Sequence, residues 1–112
     1  MLYIVATPIW NLEDITYRAV RILWEVDYIA CEDTRVSAIL LNKYGIKKTL
    51  LSFHSHSGKS KIDRIIADLK LGKDIALISD AGTPGISDPG YVLIREAVLE
   101  WIDVVPIPWV TA

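Results

Sequence analysis

Short apolar runs alternate with amphipathic stretches along this chain. Leu2-Tyr3-Ile4-Val5-Ala6 is a continuous apolar run of strand length. Thr7 to Glu13, with Pro8, reads as a loop. A helical pattern opens at Asp14, where Ile15, Ala19, Ile22 and Leu23 fall near one face. Asn11 or Asp14 is the expected cap, because a short side-chain oxygen accepts a free first-turn N–H. Asp27 to Cys31 is the second strand. A helix follows through about Tyr44, with Thr34 as expected N-cap and Gly45 as the stop, where positive φ is cheap. Thr49 to Phe53 is a third strand, and His54 to Lys59 a polar loop with Ser60 as a candidate cap. Lys61 to Leu71 is a helix with Ile62, Ile65, Ile66 and Leu69 inward, closed by Gly72. Asp74 to Ser79 is a fourth strand, Gly90 to about Trp101 a fourth helix, and Ile102 to Pro106 a fifth strand.

The order is β-α-β-α-β-α-β-α-β. The strands are near-continuous Val/Ile/Leu/Ala runs, the pattern of a sheet covered on both faces. The prediction is an α/β fold: a five-stranded, mostly parallel sheet flanked by about four helices, with right-handed crossovers. Ligands of such sheets bind at the carboxyl ends of the strands. That places candidate chemistry in Thr7–Glu13, Glu32–Arg35, His54–Ser57, Asp80–Asp88 and Pro106–Thr111.

Composition narrows the function. A chain of 112 residues is the size of one domain. With 52% hydrophobic and 23% charged residues it is not intrinsically disordered. The net charge of −2 argues against a domain that grips nucleic acid unaided. The single cysteine, Cys31, excludes an intramolecular disulfide, fits a reducing cytoplasm and lies on an expected core strand. No apolar run approaches the roughly 18–20 residues that span a bilayer, so no membrane partner is expected. The start carries no basic stretch of a signal peptide.

Ser79-Asp80-Ala81-Gly82-Thr83-Pro84-Gly85-Ile86-Ser87-Asp88-Pro89-Gly90 is the richest segment. It joins a strand to a helix. Gly82 and Gly85 permit close approach of a ligand, Thr83 and Ser87 offer hydroxyls, and Asp80 and Asp88 could receive a cation or hydroxyls. It lacks the lysine and spacing of a phosphate loop, so a neutral or cationic ligand suits it better. The plainer reading is a turn with Asp88 as N-cap and Pro89 at the first helical position. Glu32-Asp33-Thr34-Arg35 could hold a substrate or act as a capping and salt-bridge cluster. His54-Ser55-His56 pairs two histidines on one side of an extended segment. No third ligand is evident, so no metal site is predicted. A general base remains open there. Gly58-Lys59-Ser60 has the tail of a phosphate loop without its upstream glycine, since Phe53 stands there instead, and it reads as a helix start.

The runs Leu2–Ile9, Asn11–Thr16, Cys31–Arg35 and Ser79–Tyr91 together resemble ribosomal RNA small subunit methyltransferase I, a bacterial family within the tetrapyrrole methylase superfamily. The resemblance covers essentially all 112 residues. It implies a plan of two α/β domains with S-adenosylmethionine in the cleft between them, and a homodimer. It also implies methyl transfer to the 2′-hydroxyl of a cytidine in small-subunit rRNA. Residues 1–112 are then expected to be the N-terminal domain alone, with an incomplete active site. Carried over residue by residue, the cofactor-facing positions are Pro8, Asp80, Ala81, Gly82, Thr83, Pro84, Gly85, Ser87 and Asp88, with Pro106 and Pro108 on the floor. The resemblance does not fix the base; Glu32, Asp33 and His54 are the candidates, because a ribose hydroxyl needs a proton acceptor within reach.

The chain departs from the family at its tryptophans, four in all. Trp10, Trp101 and Trp109 stand where the family has glycine, and Trp24 where it has a polar helix residue. Tryptophan loses glycine's easy access to positive φ. The alternative reading is therefore a truncated, engineered scaffold whose Trp-rich surface, at Trp10, Trp24, Trp101 and Trp109, binds a partner or self-associates, since tryptophan is enriched in interface hot spots.

Overall fold

The computed structural model describes residues 1–6, 15–53, 58–79 and 88–107. Five strands and four helices alternate: β1 (Leu2–Ala6), α1 (Tyr17–Glu25), β2 (Tyr28–Cys31), α2 (Thr34–Lys43), β3 (Leu50–Ser52), α3 (Gly58–Lys70), β4 (Ile75–Ser79), α4 (Asp88–Leu99) and β5 (Val104–Ile107). The strands form one sheet in the order β3-β2-β4-β1-β5, and every pairing is parallel.

Period-2 alternation divides the sheet's side chains between two cores. Val5, Ile29, Cys31, Ala76, Ile78 and Ile107 pack with Ala19, Ile22 and Leu23 of α1 and Leu40 and Leu41 of α2. Leu2, Ile4, Tyr28, Ala30, Ile75 and Leu77 pack with Ile65, Ile66 and Leu69 of α3 and Leu93 and Ala97 of α4. Thus α1 and α2 cover one face and α3 and α4 the other. Cys31 is fully buried, as its strand position requires. β5 is an edge strand paired only to β1, and it tolerates the exposed Pro106 there, where a missing N–H costs least.

The helix boundaries correct several expectations. α1 begins at Tyr17, and its cap is Thr16, whose Oγ1 accepts the Ala19 N–H at 3.0 Å. Asn11 and Asp14 lie outside the described residues. Thr34 is the first helical residue of α2, not its cap. Asp33 holds the extended backbone of a cap and accepts the Arg35 and Val36 N–H groups at 2.9 and 3.4 Å. Asp33 can do this because a carboxylate reaches two first-turn donors at once. α3 begins at Gly58, so Lys59 and Ser60 are helical rather than loop and cap. α4 begins at Asp88, two residues ahead of Gly90, and stops at Leu99.

Three helices end alike. After α2, Gly45 N–H donates to Asn42 O and Ile46 N–H to Leu41 O; after α3, Gly72 donates to Leu69 O and Lys73 to Asp68 O; after α4, Trp101 donates to Val98 O and Ile102 to Ala97 O. Each is a Schellman ending, which demands positive φ at the first of the two donors. Gly45 (φ 67°) and Gly72 (φ 92°) meet that demand without strain. Trp101 meets it at φ 62°, with its ring 95% exposed.

α3 is fastened to the sheet at both ends. Lys61 Nζ donates to the Ser52 carbonyl at the close of β3, at 2.6 Å. At the other end Tyr28 Oη donates to Asp68 Oδ2 at 2.7 Å. Burial, and then this hydrogen bond, holds the Tyr28 phenol well above its ordinary 10.0. Lys73 stands 3.9 Å from the other Asp68 oxygen. Nearby, Asp27 N–H donates to Asp74 O and Asp74 N–H returns to Asp27 Oδ2, both at 2.7 Å, locking the starts of β2 and β4 together.

Two outcomes follow for stability. Trp101→Gly relieves the left-handed backbone while losing almost no packing, so denaturant unfolding should show a gain of about 1 kcal/mol. Tyr28→Phe removes a hydrogen bond to a carboxylate and should cost about 1–2 kcal/mol at neutral pH. The folded phenol holds its proton above the unfolded one. Its contribution is therefore complete below pH 10.0 and is lost as pH rises beyond it. Base titration of unfolding should narrow the gap between wild type and Tyr28→Phe.

Candidate functional site

In an all-parallel sheet every strand delivers the chain to the same end. Here the carboxyl-terminal row is Ala6, Cys31, Ser52, Ser79 and Ile107, aligned by register: Ala6 faces Ser79, Cys31 faces both Ile78 and Ser52, and Val5 faces Ile107. β2 and β4 are neighbours, yet their connections part. The chain leaving β2 turns onto the α1/α2 face, and the chain leaving β4 continues into α4 on the opposite face. Such a switch point, between β2 and β4, is where open α/β sheets carry their ligand crevice.

Glu32 and Asp33 follow β2 at that switch point. Glu32 is exposed and makes no hydrogen bond or ion pair with the described residues. Asp33 is half-buried, and its Oδ1 is engaged by the α2 cap. Arg35 approaches the same oxygen only at 3.7 Å and is largely exposed. The α2 N-terminus, with its partial positive charge, lies just beyond the carboxyl end of β2. Of the two acids, Glu32 is the one without a partner among the described residues; Asp33 serves first as a structural group.

Ser37 is the residue that the sequence pattern did not single out. It lies on the inner face of α2 with Leu40 and Leu41, is 1% exposed, and its Oγ has no hydrogen-bond partner. The available signal was a hydroxyl at an apolar position of the helix period. Lys61 was read only as a helix residue, although it closes β3.

The other candidates are unevenly placed. Pro106 lies in β5 opposite Ile4, one register step short of the carboxyl-terminal row. Asp88 opens α4. Pro8, His54, Asp80, Ala81, Gly82, Thr83, Pro84, Gly85, Ser87 and Pro108 lie outside the described residues, as do Trp10, His56 and Trp109. Trp24 is about half exposed on α1, and Trp101 follows α4. These helices cover opposite faces, so the structure does not join the two rings in one surface. Among the described residues no group of three or more His, Cys, Asp or Glu side chains could hold a metal ion, and no helix is long and apolar enough to cross a membrane.

The carboxylates that follow β2, Glu32 and Asp33, suit a ligand with cationic or hydroxyl groups.

Comparison with known proteins gives this arrangement a context. The family model of the tetrapyrrole (corrin/porphyrin) methylases matches residues 1–112. The chain is 59% identical over 111 residues to ribosomal RNA small subunit methyltransferase I of Mycoplasmopsis pulmonis, covering 99% of this chain and 50% of that protein. It is 56% identical over 107 residues to the protein of that name from Thermotoga maritima, covering 96% and 48%. For the one from Halalkalibacterium halodurans the identity is 54% over 111 residues, covering 99% and 38%. The chain thus spans half or less of the length of these relatives. Among solved structures, a conserved hypothetical protein of Aeropyrum pernix K1 superposes with a TM-score of 0.62 at 13% identity, over 98% of this chain and 38% of that one. At that identity the likeness is one of fold.

Substitutions separate the two roles open to Asp33. Asp33→Ala should lower unfolding stability by about 1 kcal/mol through the lost cap, while Asp33→Asn, an equally good cap, should stay within about 0.5 kcal/mol of wild type. Glu32→Gln should leave the melting temperature unchanged.

Proposed function

The chain belongs to the tetrapyrrole (corrin/porphyrin) methylases, and on that premise we propose that it is the N-terminal, cofactor-side domain of an S-adenosylmethionine-dependent methyltransferase of small-subunit rRNA. The observation that carries this reading is the 59% identity, over 111 residues, to a protein named for that activity. The switch point between β2 and β4 supports it, because ligands of open α/β sheets bind there and the carboxylates of Glu32 and Asp33 beside it suit a ligand that is cationic at one point and hydroxylated at others. The acceptor in this reading is the 2′-hydroxyl of a cytidine. The reading extends to a cytoplasmic homodimer, as the resemblance implies.

The residues then take distinct parts. Bound S-adenosylmethionine supplies an electrophilic methyl group on a sulfonium centre. Asp80, Thr83, Ser87 and Asp88 are the side chains of the β4–α4 connection proposed to hold it, with Gly82 and Gly85 leaving the backbone open to close approach. Pro8, Ala81, Pro84, Pro106 and Pro108 complete the proposed walls. Transfer of that methyl to a ribose hydroxyl would break its bond to sulfur, leave S-adenosylhomocysteine and require an acceptor for the hydroxyl proton. Glu32 is the described carboxylate free to accept it, and His54 is the other candidate. Asp33 keeps α2, and with it Glu32, in place. Alignment of the reacting atoms, rather than covalent catalysis, is the protein's main contribution.

Calorimetric titration of the full-length protein with S-adenosylmethionine should show micromolar binding. Incubation with small ribosomal subunits and labelled cofactor should place a methyl group on a cytidine ribose, read by mass spectrometry of the digested rRNA. Absence of cofactor binding by the full-length protein would overturn the reading. Glu32→Gln should lower kcat by at least about 100-fold with little change in cofactor affinity.

A further inference from the structure

We propose that the outer surface at the starts of α1 and α2, built from Tyr17, Arg18, Arg21 and Arg35, is the face that grips the rRNA strand; this rests on the methyltransferase reading above. α1 and α2 cover the same face of the sheet. As crossovers between parallel strands both run back along it, so both start at its carboxyl end, where Glu32 also lies. Tyr17 is the first residue of α1 and is 97% exposed. Arg18 follows it, and Arg21 stands one turn along on the side of Tyr17, because residues four apart share a helix face. Both arginines are exposed and have no partner among the described residues. Arg35 is the second residue of α2, and its side chain is 92% exposed. Its approach to Asp33, Nε to Oδ1 at 3.7 Å, is too long for a hydrogen bond and leaves the guanidinium fork to the solvent.

The charge of the molecule is one-sided. α1 and α2 carry Arg18, Arg21, Arg35 and Lys43 against one acid, Glu25. On the opposite face cations are engaged within the molecule: Lys61 with the Ser52 carbonyl, Lys70 with Glu100, Lys73 beside Asp68 and Arg95 beside Glu96. A net charge of −2 therefore conceals a positive surface on one side. Such a surface fits a polyanion. Guanidinium groups fork onto phosphate oxygens, and an exposed tyrosine ring beside them offers a plane on which an unpaired base stacks. Phosphate contact combined with stacking is the pattern of single-stranded RNA binding. A second copy of the chain is a poor occupant, since two-fold symmetry would set like charges against each other. Position favours RNA as well. Arg35 lies just beyond Glu32, the carboxylate proposed to accept the ribose proton, so a strand held here passes the proton acceptor.

The test measures binding of the full-length protein to small ribosomal subunits by filter retention over a range of salt concentrations. Cofactor affinity is read separately by calorimetry. Arg18→Gln, Arg21→Gln and Arg35→Gln should each weaken subunit binding about threefold to tenfold at ~0.1 M salt, and flatten the slope of log affinity against log salt by about 0.7–0.9. The matching lysine variants should keep the slope. Tyr17→Ala should weaken binding about fivefold or more with the slope unchanged, whereas Tyr17→Phe, which keeps the ring, should bind as wild type does. Arg95→Gln, on the opposite face, should alter neither affinity nor slope. Because these side chains are exposed, melting temperature and S-adenosylmethionine affinity should stay at wild-type values. A variant that loses subunit binding, melting temperature and cofactor affinity together acts through the fold and counts against the proposal. If the Tyr17 and arginine variants bind subunits as wild type does, if Arg95→Gln loses as much as they do, or if polyglutamate displaces the subunit as well as an RNA fragment of equal charge, the proposal is overturned while the methyltransferase reading stands. If wild type neither binds the cofactor nor methylates the subunit, the reading falls and takes this proposal with it.

Discussion

Everything in this molecule depends on a sheet that must be covered on both faces. Each strand places successive residues alternately up and down, so Val5, Ile29, Ala76 and Ile78 belong to one core while Leu2, Ile4, Ala30 and Leu77 belong to the other. Neither set can be left in water. The four helices satisfy that demand in pairs, and because all strands run parallel, every helix must enter from the same end. The direction of the coverage changes between β2 and β4. That switch point results from covering two faces with one chain, before any side chain is chosen for chemistry.

At the amino end of the sheet the reciprocal Asp27–Asp74 pair and the Tyr28–Asp68 bond join residues 47 and 40 positions apart, beside three helix endings of one geometry. Exposed ion pairs such as Lys70–Glu100 add little. At the carboxyl end Asp33 caps α2 and Lys61 ties α3 to β3, so both hold helix starts.

The alternation of strands and helices was legible because the strands are unbroken apolar runs, and the inward positions of α1 and α3 followed from helical spacing. Gly45 and Gly72 announced their helix ends for the same reason: glycine favours the conformation that such an ending needs. The ending at Trp101 was hidden, since its residue type argues against the backbone it adopts. Caps were misplaced by one or two residues at Thr16 and Asp33, because a run such as Glu-Asp-Thr offers several side chains that could cap, and only the backbone decides. Strand order was not legible at all, for nothing local tells β4 to lie between β1 and β2. Glu32 and Asp33 stood out as a pair by type, but the division between a free carboxylate and a capping one needed coordinates. Ser37 was passed over because a lone serine in an apolar helix face looks like a surface residue until its neighbours are known.

Pro106 has a consequence for how the sheet can grow. It sits on β5, which among the described residues pairs on one side only, and it lacks the N–H that a further parallel partner would need at that position. A strand from elsewhere, or from a neighbouring molecule, would meet an interrupted ladder there. The opposite edge, β3, has no proline but is only three residues long. The sheet is therefore guarded against edge-to-edge aggregation by a missing donor on one side and by brevity on the other.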